Sequence, residues 1–217
     1  IEYTWTEDAT KLPAGYKLTS NNTVGTLTTI TNTYTPETTF ATVKKVWEDV
    51  ENQDGKRPTT LTVTLSTGEE VELSEANGWT ATIENLPMYE DGVAIEYTWT
   101  EDATNLPAGY KLTSNNTVGT LTTITNSYTP ATTSATVKKV WDDKDNQDGL
   151  RPASLTVTLS NGDKVVLNAE NEWTATIEEL PLNKAGVAID YTWTEDTTGL
   201  PEGYTLTSTT KDGTITT

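Results

Sequence analysis

The chain repeats itself with a spacing of 94 residues and no insertions: Ile1, Ile95 and Ile189 open "IEYTWTEDAT", "IEYTWTEDAT" and "IDYTWTEDTT". A second block, "ATVKKVWEDVENQDGKRP" from Ala41, returns from Ala135 as "ATVKKVWDDKDNQDGLRP". A copy this long is a whole domain, because solenoid units of about 20–45 residues cannot close a core of their own. The expected organisation is the back part of one domain at 1–36, a complete domain at 41–130, and a third at 135–217 that lacks its last strand. The joins "YTPETTFATV" and "YTPATTSATV" are short and carry Pro and β-branched Thr, so they should be stiff. Tandem domains in one register suggest a rod. The chain opens on neither an initiating Met nor a signal peptide, so it is expected to be an excerpt of a longer polypeptide.

The local pattern is all β. "TLTVTLS" puts Leu61, Val63 and Leu65 on one face, "GWTATIE" groups Trp79, Ala81 and Ile83, and "VAIEYTWTE" groups Val93, Ile95, Tyr97 and Trp99. This period of two marks strands with one buried face. Turn signals such as Thr67-Gly68, Asn77-Gly78 and Asn161-Gly162 separate the runs, giving about seven short strands per repeat and no helical periodicity. Antiparallel strands with one wet face, stacked two sheets deep, make a β-sandwich.

Composition narrows the function. A formal net charge of −18 opposes nucleic acid and anionic membranes as partners, since both reward Lys/Arg patches. No apolar run approaches the roughly 20 residues that span a bilayer, so membrane insertion is not expected. With no His, no Cys and no Ser-based constellation, a hydrolase or metalloenzyme has little to stand on, and no cofactor is implied. The loop "DKDNQDG" (143–149) hints at calcium, but its glycine comes one residue late and Ser154 stands where a bidentate Glu would be needed. An Asx-rich turn explains it better. The seven Trp could form a sugar-stacking platform, yet most share parity with Val, Ile and Leu, which makes them core. "NNT" at Asn21 and Asn115 matches a glycosylation sequon and carries little weight.

Three residues break the alternation with the wrong chemistry. Lys45 shares the face of Val43 and Trp47, Glu101 continues the parity of Tyr97 and Trp99, and Asn126 sits between Ile124 and Tyr128 on their own face. One buried polar group costs a few kcal/mol unless satisfied, and a lone buried charge costs more. An amine, a carboxyl group and a carboxamide pointing inward from one domain call for a common explanation. Burial disfavours charge on amines and carboxyl groups alike. A neutral amine held against a carboxamide is a nucleophile facing an acyl group, and a neighbouring carboxyl group can carry the proton. The alternative is a buried Lys–Glu salt bridge beside a hydrogen-bonded Asn, although buried pairs often fail to offset their desolvation.

"KVWEDVENQDGKRP", "YTWTED" and "ITNSYTP", in that order and spacing, resemble the Cna B-type repeats of Gram-positive surface adhesins, and the resemblance covers the whole chain. It implies Ig-like β-sandwich stalk modules, many locked by a self-formed Lys–Asn isopeptide bond that a buried Glu promotes. The amine would be Lys45, the acyl partner Asn126 and the promoting acid Glu101. The third copy supplies Lys139 and Glu195, and the first supplies Glu7 and Asn32, so those two sets are incomplete. The resemblance further implies a cell-wall-anchored, extracellular protein that is not an enzyme beyond this single-turnover crosslinking. Its partners would be neighbouring repeats of the same polypeptide, with a host extracellular-matrix ligand left to a domain outside these residues. The alternatives are a glycan- or host-protein-binding repeat and a covalently polymerising pilin-like subunit.

Overall fold

The structure is a computed structural model that describes residues 3–217; Ile1 and Glu2, which open the fragment expected at 1–36, lie outside the described residues. Strands and turns carry the fold, with short 3-10 turns between them. The first repeat contributes β1 (Lys17–Val24) and β2 (Leu27–Thr33), an antiparallel hairpin. Nine strands follow in the second: β3 (Thr38–Glu48), β4 (Thr60–Leu65), β5 (Glu70–Ser74), β6 (Thr80–Pro87), β7 (Tyr89–Glu90), β8 (Val93–Ala94), β9 (Trp99–Glu101), β10 (Lys111–Val118) and β11 (Leu121–Ser127). The third has β12 (Thr132–Lys138), β13 (Ser154–Leu159), β14 (Lys164–Asn168), β15 (Thr174–Pro181), β16 (Asn183–Lys184), β17 (Val187–Ala188), β18 (Trp193–Glu195), β19 (Lys211–Asp212) and β20 (Ile215–Thr216).

Two compact units divide these residues. One takes the chain up to Val46 with Thr60–Asp102 and Ser114–Ile124; the other takes Trp47–Thr59, Ala103–Thr113 and Thr125–Thr217. The second unit contains the sheets of the third repeat, a four-stranded sheet β15-β12-β20-β19 and a three-stranded sheet β14-β13-β18. Between them lies a core of Val137, Leu155, Val157, Leu159, Leu167, Trp173 and Trp193, all buried. The first unit holds the matching sheet β5-β4-β9, where Leu61, Val63, Leu65 and Trp99 face inward as their alternation predicts. The start of the last strand is present in the third repeat: Ile215–Thr216 pairs in parallel with β12 at Thr136 and Val137.

Trp79 keeps the half-buried company of Ala81 and Ile83 that parity gave it, and Trp173 joins the core against which Ala175 and Ile177 pack, although both Trp precede their strands, β6 and β15, with φ of 58° and 57°. One grouping read from parity does not hold. Val93 is exposed, because β8 folds back on β7 as a separate hairpin; the inward alternation begins only at Ile95 and is clear at Tyr97 and Trp99.

The long loop after β3 is built around one carboxylate. Asp49 accepts from Asn52 N–H (3.0 Å), from Arg57 Nε and Nη2 (2.9 and 2.5 Å) and from the Tyr110 hydroxyl (2.7 Å). Asp143 repeats the pattern with Asn146 N–H, both guanidinium donors of Arg151, and Tyr204. Burial alone would raise the Asp49 carboxyl, but Arg57, Tyr110 and Asn52 together hold it below the ordinary carboxylate value. The first Asp of the calcium-like run is thus committed to an arginine fork, the pairing that best satisfies a buried carboxylate.

Arg57→Ala would strand the fully buried Asp49 side chain. The expected loss is roughly 3 kcal/mol, the low end for a broken buried pair because the guanidinium is partly exposed. Chemical denaturation checks it; a change within about 0.5 kcal/mol would show the knot to be ornamental.

Candidate functional site

Lys45 stands on β3 behind Ala41 and Val43, and all three side chains are buried. The neighbouring Lys44 is exposed, so alternation sends one amine of the pair into the core and the other to water. β6 fixes this stretch from one side, with Val43 paired to Ala81 and the Lys45 N–H donating to the Trp79 carbonyl at 2.8 Å. Glu101 ends β9, whose partner β4 sets Val63 opposite Glu101 and Leu65 opposite Trp99.

The two charged ends meet. Lys45 Nζ lies 2.7 Å from Glu101 Oε2, and both side chains have 0 % of their surface exposed. Burial pushes the Lys45 ammonium below the ordinary lysine value, against the pull of Glu101. The other Glu101 oxygen, Oε1, is buried without a hydrogen bond.

Asn126, on β11, is also wholly buried, and neither its Oδ1 nor its Nδ2 has a hydrogen-bond partner. An unmade pair of carboxamide bonds in a protein interior costs on the order of 1–3 kcal/mol per group. Native interiors rarely leave such a group orphaned without a reason.

The other copies carry the same pieces. In the third repeat Lys139 Nζ lies 3.0 and 2.8 Å from the two oxygens of Glu195, and the ammonium stands 4.7 Å from the centre of the Trp141 ring. Here the side chains keep 14 % and 8 % exposure, and they border a cavity of about 320 Å³ lined also by Trp193, Tyr204 and Thr216. In the first fragment the Asn32 Nδ2 donates to Glu7 Oε1 at 3.1 Å on an exposed hairpin. Each of the three Glu thus accepts a hydrogen bond within its own copy, from an amine in two cases and from a carboxamide in one. Sequence reasoning missed the Asp49–Arg57–Tyr110 knot; its signal was an Asp and an Arg eight residues apart in both loops.

The family model for the Cna protein B-type domain matches residues 41–127 and 135–217. A collagen adhesin of Staphylococcus aureus is 44% identical over 205 residues, which make up 90% of this chain and 16% of that protein. Among solved structures, two B repeat units of the collagen binding protein of S. aureus align with a TM-score of 0.72 and 40% identity, over 94% of this chain and 54% of that one.

The lowered Lys45 value has a signed consequence. Between the folded value and the ordinary 10.5 the unfolded chain binds the extra proton, so stability should rise with pH across that window. In an Asn126→Ala background the rise should be present with Lys45 and absent with Lys45→Met. Parallel pH profiles from urea titrations would show that the amine is not perturbed.

Proposed function

The chain belongs to the Cna B-type domain family, and from that premise we propose that it is a run of structural stalk repeats of a cell-wall-anchored bacterial surface adhesin, locked by a self-formed Lys45–Asn126 amide. The repeats divide at 1–36, 41–130 and 135–217, and only the second carries amine, acid and carboxamide together. The carrying observation is a buried Lys45–Glu101 pair in a chain whose Asn126 carboxamide is equally buried and has no partner. The amide would account for both.

Strand register supports the pairing. Thr42 N–H donates to the Thr120 carbonyl (2.7 Å) and Tyr128 N–H to the Glu48 carbonyl (2.9 Å). One parallel register between β3 and β11, neighbours in their sheet, satisfies both bonds. Carried along the strands, it sets Lys45 across from Ile124 and puts Asn126 next on the same inward face.

The chemistry is a single transamidation. Glu101 takes a proton from Lys45 Nζ, whose lone pair attacks Asn126 Cγ. As the new C–N bond forms the attacking nitrogen gives up its second proton, Glu101 relays one proton to the departing nitrogen, and the old C–N bond breaks to release ammonia and leave Glu101 protonated. Holding amine and carboxamide side by side supplies what solution cannot, since such placement is worth about 7–11 kcal/mol of barrier. Each domain reacts once, so nothing turns over. Ligand binding by the whole adhesin would belong to domains outside these residues.

Intact mass is the decisive measurement. The chain should weigh one ammonia less than its sequence, and Lys45→Ala, Glu101→Ala or Asn126→Ala should each restore the full mass. Lys44→Ala should leave the loss in place. A wild-type chain at full mass would leave the ion pair as a salt bridge and nothing more.

Closing a loop of this size is worth about 4–5 kcal/mol in the chain-entropy account of crosslinks. Glu101→Gln, which blocks the reaction at nearly constant volume, should therefore lower the melting point of the second repeat by ~15–30 °C. Calorimetric traces that coincide would show the lock to be irrelevant to stability.

A further inference from the structure

The same loop occurs twice with different surroundings. Asp54 and Asp148 hold the same place in "NQDG". Asp148 and Gly149 are exposed, whereas Asp54 is buried to 9 % exposure. What covers Asp54 comes from further along the chain. Its Oδ2 accepts from the Tyr128 hydroxyl and from the Ala131 N–H, both at 2.8 Å, and its Oδ1 accepts from Asn183 Nδ2 at 3.1 Å. The Ala131 N–H, foremost among these donors, holds the carboxyl below the ordinary value, so the group is an anion at neutral pH. Tyr128 closes the second repeat, Ala131 lies in the join, and Asn183 opens the β16–β17 hairpin of the third. All of them fall within the second compact unit.

The backbones also touch. The Gly186 N–H donates to the Gln53 carbonyl at 3.0 Å. A Cβ built on Gly55 would stand 2.7 Å from the Gly186 Cα, and the two glycines have φ of +66° and +78°. Neither position admits a side chain: the loop and hairpin approach too closely, and the backbone is left-handed at both.

We propose that this loop is a socket that fixes the orientation of the following repeat, with Asp54 clamping the join and the β16–β17 hairpin together. Joined domains swivel by default unless a sizeable interface or specific bonds prevent it. Here an anion accepting three hydrogen bonds, each stronger for its charge, replaces area with directionality. Asp148 and Gly149 (φ +67°) present a socket of the same make to solvent. Its fitting partner is another repeat hairpin with a glycine at its tip and a side-chain donor at its start, which the Tyr89–Ala94 hairpin with Gly92 also offers. This inference rests on the division into repeats proposed above and not on the amide.

The test uses the full chain, which has no cysteine of its own. Cysteines placed at Thr62 and Thr156, matching exposed positions on β4 and β13, take spin labels for pulsed-EPR distance measurement. The parent should give one narrow distance distribution. Asp54→Ala and Gly55→Ala should each broaden it severalfold, and Asp148→Ala should leave it narrow. Should Asp54→Ala disturb folding by circular dichroism, Asn183→Ala reaches the clamp from the other side and should broaden it as well. A parent distribution as broad as the variants', a narrow one that survives Asp54→Ala or Asn183→Ala in folded protein, or equal broadening by Asp148→Ala would overturn the proposal. The ammonia deficit is read by mass and does not depend on orientation, so failure of the clamp and failure of the crosslink appear in separate measurements.

Discussion

A charged lysine on the inward face of a strand sets the terms for everything around it. Moving an ammonium and a carboxylate out of water costs several kcal/mol per ion even after relaxation. Lys45 and Glu101 offset part of this by meeting at 2.7 Å, but one oxygen of the pair still lacks a partner. A sandwich that needed only stability would do as well with apolar residues there. Retaining three polar groups in its interior makes sense if they are reactants, because the product amide carries no charge and resolves the desolvation that drove the reaction. Under the proposed crosslinking the fold would raise the free energy of the reactants and then keep the product.

A second carboxylate in each repeat does the opposite work. Asp49 and Asp143 are fully partnered, by a guanidinium fork, a phenol and a backbone N–H. They gain nothing by reacting and serve to hold in one shape the excursion between strands, 11 residues long in the second repeat and 15 in the third. That shape in turn carries Asp54 to where it can accept from the next segment of chain. The two kinds of buried acid are told apart by whether their lone pairs are satisfied, not by how deeply they sit.

Much of this was legible in the residues. Alternation placed Val43, Lys45, Leu61, Val63, Leu65 and Trp99 correctly, because a strand with one buried face leaves no freedom over which parity points inward. The family followed from the blocks around Lys45, Glu101 and Asn126. Parity failed at Val93, which is taken by a hairpin two residues long on each arm. The role of Asp54 was out of reach for a different reason. Asp148 has the same neighbours in sequence, and only the contact with a hairpin some 130 residues away tells the two apart.

The parallel pairing of β12 with β20, and of β3 with β11, has a mechanical consequence. When the first and last strands of a domain lie side by side and point the same way, pulling the chain by its ends slides one strand along the other. Every hydrogen bond between them is then loaded at once, in shear, instead of parting one at a time as in a hairpin opened from its mouth. A single amide across that seam would carry the load before the bonds around it were strained, and force would pass from repeat to repeat along two strands while the rest of each sandwich stayed slack.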